Sequence, residues 1–129
     1  FRTNTKQGNV SLVVKNCTFY NLFSGEALMR DIIGGTNSFT AENILFAGSG
    51  SVKIFNKTSD APGIINGSKI YSSSDLTVAN AGEVSTTALS YSSSQLFPNA
   101  SSSTDVLDLT FGADIPNEVK IIGDPRWNK

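Results

Sequence analysis

The sequence predicts an all-β chain wound as a parallel β-helix of few coils and closed by a loop-rich C-terminal cap. A strand-like segment, Ser11-Leu12-Val13-Val14-Lys15-Asn16-Cys17-Thr18-Phe19, returns 27 residues later as Ser38-Phe39-Thr40-Ala41-Glu42-Asn43-Ile44-Leu45-Phe46. The composition is only 16% charged and rich in Ser, Thr, Asn and Gly, which suits short strands joined by turns rather than helices. Neither copy carries the long 3.6-residue periodicity of a helical repeat.

A repeat spacing of about 20 to 50 residues marks solenoids and propellers. Period two puts Val10, Leu12 and Val14 on one face, with a bend at Asn16 and then Cys17 and Phe19 sharing a face. In the next copy Phe39 and Ala41 precede the bend at Asn43, and Ile44 and Phe46 follow it. Stacking then sets Leu12 over Phe39, Cys17 over Ile44 and Phe19 over Phe46, the like-on-like columns from which a solenoid builds its core. Asn tolerates left-handed backbone angles, so Asn16 and Asn43 are expected to form a structural amide ladder at the bend. A weaker third copy runs Ser68-Lys69-Ile70-Tyr71-Ser72, followed by Leu76-Thr77-Val78-Ala79. A β-sandwich also has many short strands, but it does not predict a fixed offset.

Between the copies, Ala27 to Ile33 reads as a strand ended by Gly34-Gly35. Asp60-Ala61-Pro62-Gly63 reads as a turn, and Asn66-Gly67 as a tight turn. Residues 1–79 are therefore assigned to the coils, and 80–129 to a loop-rich C-terminal coil and cap of the same domain. In the second part, Tyr91 to Thr104 is loop material around an apolar anchor at Leu96-Phe97-Pro98. Val106 to Phe111 alternates as a strand, and Val119 to Ile122 reads as another. Trp127 is expected to fold back over the open end of the solenoid, with Asp124 and Arg126 pairing locally.

Composition excludes several functions. Without histidine there is no Ser-His-Asp or Cys-His catalysis and no histidine-ligated metal. A single cysteine, Cys17, permits no intramolecular disulfide. A net charge of −1 argues against nucleic acid as a partner, because such binding needs a basic patch. No run approaches the roughly 20 apolar residues of a membrane span. The chain opens on Phe1-Arg2-Thr3-Asn4 with neither Met nor a leader, so a signal or lipid anchor is expected upstream of Phe1.

Three segments carry a resemblance. Asn16-Cys17-Thr18-Phe19-Tyr20-Asn21 resembles the Asn-x-Thr-Phe-Tyr-Asn coils of pectin-lyase-like β-helix proteins, and Asn43-Ile44-Leu45-Phe46-Ala47 resembles the coil that follows. Ile122-Gly123-Asp124-Pro125-Arg126-Trp127 resembles the Gly-Asp-Pro-Arg-Trp close of secreted or surface-attached, pectate-lyase-like proteins of gut bacteria. The resemblance implies a right-handed parallel β-helix at the C-terminus of an extracellular protein, with an upstream domain and polysaccharide as partners. Fold alone does not imply activity.

Candidate residues follow from that chemistry. β-helix lyases of this kind use a basic side chain to abstract a proton, and many hold calcium with clustered acids. Calcium takes six to eight oxygens, whereas the acids here, Glu26, Asp31, Glu42, Asp60 and Asp75, are scattered. No cofactor is expected, calcium being implied only under the lyase alternative. Lys15, Arg30 and Asp31 are the nearest approach to a catalytic set, although Lys15 and Glu42 share a repeat position and suit a cross-coil ion pair. Glycoside hydrolysis needs two carboxylates about 5 to 10 Å apart, and no acid pair repeats at the offset. Tyr20 and Tyr71 are the candidates for a sugar-stacking platform. The functional expectation is a non-catalytic module of a polysaccharide-associated protein, with a lyase fragment and a carbohydrate-binding module as alternatives.

Overall fold

The computed structural model describes residues 10–22, 27–30, 38–56, 64–79, 84–100 and 107–128. The chain is strand-rich, and its strands pair in parallel. β1 (Ser11–Tyr20), β3 (Ser38–Ala47), β5 (Ile64–Ser72) and β7 (Thr86–Ala88) form one sheet in that order, and β2 (Ala27–Arg30), β4 (Gly50–Asn56) and β6 (Leu76–Ala79) form a second. The chain thus alternates between two sheets, so each strand pairs with the strand two elements later.

The register is the one the repeat predicts. Leu12 lies beside Phe39, Cys17 beside Ile44 and Phe19 beside Phe46. The next pairing places Ile44 beside Ile70 and Phe46 beside Ser72, an offset of 26 rather than 27. At each rung one residue drops out of the ladder and takes a left-handed conformation: Asn16 (φ 52), Asn43 (φ 53) and Lys69 (φ 53). The strand bends there, and its inward face is restored on the far side. The Asn43 Nδ2 donates to Asn16 Oδ1 at 2.9 Å, forming the amide ladder.

The first core lies between the sheets. Val14, Phe39, Ala41, Ile44, Phe46 and Ile70 come from one sheet, and Leu28, Val52, Ile54 and Leu76 from the other. Phe19 stacks on Phe46 with ring centroids 5.4 Å apart. Sealing differs between rungs. Phe39, Ile44 and Phe46 are 0% exposed, whereas Leu12, Cys17 and Phe19 above them are only partly buried. Val10 and Val13 beside them are 42% and 52% exposed.

A second core explains an apolar run that period two does not. Ile44-Leu45-Phe46-Ala47 is buried throughout. Ile44 and Phe46 point inward, while Leu45 and Ala47 pack outward against Leu96, Phe97, Leu109, Phe111, Val119 and Ile122. A strand covered on both faces reads as continuous hydrophobic sequence.

The C-terminal third departs from expectation in physically clear ways. The described residues of the Val106 to Phe111 segment pair with no strand, although Leu109 and Phe111 are buried and Leu107 is exposed. The alternation is that of an extended segment laid on a core. Val119 to Ile122 is not a strand: α1 (Ser93–Leu96) is followed by α2 (Asn117–Lys120), which starts after Pro116 with Glu118 in its first turn and Lys120 in its last. Both charges complement the helix dipole, and Val119 and Ile122, three apart, share the buried side. Part of the expected loop is also helical, because Ser92 and Gln95 form a capping box. The apolar anchor at Leu96 and Phe97 is fully buried. Trp127, in a 3₁₀ turn (Pro125–Trp127), is half-buried against the second core, so the tail covers the side of the sheet rather than its end.

Asn66-Gly67 is no turn either, since both residues lie inside β5 beside Thr40 and Ala41. The glycine serves close packing: a Cβ on Gly67 would sit 2.3 Å from Val84 Cγ1. The column Val14, Ala41, Gly67 tapers, and the buried Val84 fills the space. Gly67→Ala is expected to lower the unfolding free energy by about 1–3 kcal/mol through overpacking, measured by urea denaturation. Asp31, Ile32, Ile33, the Gly34-Gly35 pair, the Asp60 to Gly63 turn and Val106 lie outside the described residues.

Candidate functional site

The bend line that organises the repeats also borders a groove of about 320 Å³. One wall is sheet: Asn16 from β1, Glu42 and Asn43 from β3, Lys69 and Tyr71 from β5. The other wall is the α2 segment, with Glu118, Ile121 and Ile122. Adjacent strands stand about 4.8 Å apart, so the sheet wall spans roughly 10 Å across three rungs.

The two walls are tied together at Asn43. Its Oδ1 accepts from the Gly123 N–H at 3.2 Å, and its Nδ2 donates to the Gly123 carbonyl at 3.4 Å while also reaching Asn16. The Asp124 N–H donates to Thr18 Oγ1 at 3.1 Å. Gly123 is required here on two counts: its φ is 79, and a Cβ would lie 2.5 Å from Thr18 Oγ1. Asp124 accepts from Arg126 Nε at 2.9 Å, and this guanidinium holds the carboxyl below its ordinary range. The expected local pair is therefore present. Burial, with the Asp124 carboxylate beside it, pushes the Cys17 thiol up, so the sulfur stays protonated at neutral pH.

Electrostatics along the groove is balanced. Lys15 Nζ lies 2.5 Å from Glu42 Oε2, the cross-rung pair that the shared repeat position predicts. Its hydrogen bond and charge, with Lys69 contributing, hold the Glu42 carboxyl below its ordinary value. Lys69 is exposed and forms no ion pair among the described residues. A lysine in the left-handed region costs on the order of 1 kcal/mol. The other two rungs spend an asparagine on the same geometry, and its amide is used for bonding. Ile121, 68% exposed, forms an apolar rim.

The sequence candidates are distributed unevenly. Tyr71 lines the groove and also packs on the second core. Tyr20 turns into the second core, edge-on to Phe97 with centroids 6.1 Å apart. Lys15 is engaged by Glu42, and the backbone of Arg30 lies in β2 of the other sheet. Asp31 lies outside the described residues, as do Glu26 and Asp60. Asp75 accepts from the Ser93 amide at 2.8 Å and from its hydroxyl at 2.6 Å, tying α1 to the β5–β6 turn. Among the described residues, no three potential ligands of the His, Cys, Asp and Glu types gather around a common point. No helix among them is long and apolar enough to cross a membrane.

Lys69, Glu118 and Ile121 were not legible as site residues. The signal for Lys69 was its place in the third copy, where the other copies have asparagine. Glu118 and Ile121 reach the groove only through tail docking. A second cavity of about 260 Å³ lies between α1 and the Gly112–Ile115 turn, bordered by Tyr91 and Pro98. Comparison of the chain with protein-family models, with curated proteins and with solved structures found no match.

Proposed function

We propose that the chain is the C-terminal part of a right-handed parallel β-helix in an extracellular, polysaccharide-associated bacterial protein. In this reading it is a non-catalytic module, scaffold and side cap together. The observation that carries it is the unequal sealing of successive rungs. Phe39, Ile44 and Phe46 are fully closed off between rungs, whereas Leu12, Cys17 and Phe19 are only partly buried, and among the described residues no strand pairs with the outer edge of β1. A further parallel strand of the same repeat, stacked on β1, would close them and extend the amide ladder past Asn16. Upstream sequence of the same protein is the natural source of such a strand.

The saccharide part of the reading is supported by the coil and tail resemblances and by the groove. Amides, two carboxylates, an ammonium and an aromatic ring converge there, the residue types that hold sugar hydroxyls and C–H faces. This also favours a carbohydrate-binding module as a second reading. No observation favours the lyase alternative, since Lys15 is held by Glu42 and Arg30 lies in the other sheet.

Affinity electrophoresis through gels containing single polysaccharides, neutral and uronate, tests the reading. At least one polysaccharide is expected to retard the chain, and Tyr71→Ala is expected to weaken that retardation about tenfold, the scale of one lost aromatic contact. Circular dichroism checks that the variant is folded. Migration unchanged in every gel would sink the saccharide reading. Formation of unsaturated uronate product, seen by ultraviolet absorbance, would replace it with the lyase.

A further inference from the structure

We infer that Lys69 is a ligand-binding residue of the groove, and that the groove takes an uncharged saccharide by a vicinal hydroxyl pair set between the Lys69 ammonium and the Glu42 carboxylate. The inference rests on the saccharide reading above and narrows it to a substrate class.

Conformation gives the first argument. Asn16, Asn43 and Lys69 occupy one bend position in three successive rungs, all near φ 53. Asparagine suits that position because its short amide bonds locally. Lysine makes no local bond of that kind: its side chain is exposed, joins no close ion pair among the described residues, and acts on Glu42 only through its charge. A residue held in a costly conformation without a structural return points to function.

Charge gives the second. Lys15 and Glu42 neutralise one another at 2.5 Å, and Lys69 on the sheet wall is balanced by Glu118 on the other wall. An anionic polymer would meet as many carboxylates as ammoniums there, with no net attraction to offset the repulsion from Glu42 and Glu118. A neutral sugar meets donors and acceptors instead. The ammonium donates to one hydroxyl oxygen, and the carboxylate accepts from its neighbour. Tyr71 and the exposed Ile121 supply the apolar surface for the ring's C–H face.

The test is Lys69→Asn, which installs the residue that the other two bends already use. Binding is measured against neutral glucans, galactans and mannans and against polygalacturonate, with thermal unfolding alongside. The wild-type chain is expected to bind a neutral polysaccharide and to ignore polygalacturonate. K69N is expected to unfold at the same temperature or higher and to bind at least tenfold more weakly, the loss of one charge-assisted hydrogen bond. Unchanged binding by K69N, or a clearly lower unfolding temperature, overturns the role given to Lys69. Binding to polygalacturonate alone overturns the substrate class while leaving the saccharide reading intact. Absence of binding to every glycan sinks both.

Discussion

Phe46→Ala is expected to lower the unfolding free energy by about 3–5 kcal/mol, the cost of emptying a large aromatic site in a sealed core. Phe46 is 0% exposed, stacked on Phe19 and walled in by both sheets. A chain of this size has a total stability of roughly 5–15 kcal/mol, so the variant would sit near the edge of folding. The control is Phe19→Ala, which removes the same ring from the same column one rung earlier. Phe19 is only partly buried, so less area is lost and the surroundings can relax into solvent. Urea denaturation of the two variants should give a clearly smaller loss for Phe19→Ala. Equal losses would show that the first rung is as closed as the second in solution, and would remove the main support for a stacked partner strand.

The second large effect centres on Asn43. Its side chain bonds Asn16 and both backbone groups of Gly123, and its backbone sits at φ 53. Asn43→Ala removes the amide and places a residue with no left-handed tolerance at the bend. At about 1 kcal/mol per net hydrogen bond and about 1 kcal/mol for the backbone, the loss should be about 4 kcal/mol. Asn43→Gly keeps the backbone free and loses only the amide, so its cost should be about 1 kcal/mol lower. Trp127 reports on the tail: its half-buried ring should shift its fluorescence to the red in both variants as Gly123 lets go. A variant pair with equal stability loss would argue that the bend is not conformationally demanding. An unshifted Trp127 would argue that the tail is held by apolar contacts alone.

The inward half of this fold was legible because it depends on local rules. The register of β1 on β3 follows from two copies with matching Ser, Asn and Phe, and period two then assigns Leu12, Cys17 and Phe19 to the core. The bend was legible through asparagine. The outward half was not, because it depends on what a distant segment covers. Leu45 and Ala47 look like surface positions until the tail is laid over them. The Leu107–Phe111 alternation is real burial without pairing, and Val119–Ile122 is short enough that Pro116 and the buried spacing of three decide for a helical turn. Asn66-Gly67 carried turn chemistry but was spent on making room for Val84. Within the groove, Tyr71 and Glu42 were foreseeable from the repeats, whereas Glu118 and Ile121 arrive from some 75 residues away along the chain.

The tapering column at Gly67 has a bearing on assembly. A stack of parallel strands that was open at both ends would carry two complementary surfaces, and head-to-tail addition of identical chains would generate a fibre. Here Val84 fills the space beside Gly67, and the next pairing shortens from an offset of 26 to one of 16 residues, at β7. Among the described residues the inward space at Gly67 is thus filled, whereas the first rung stays partly open, so the two ends of the stack differ in shape.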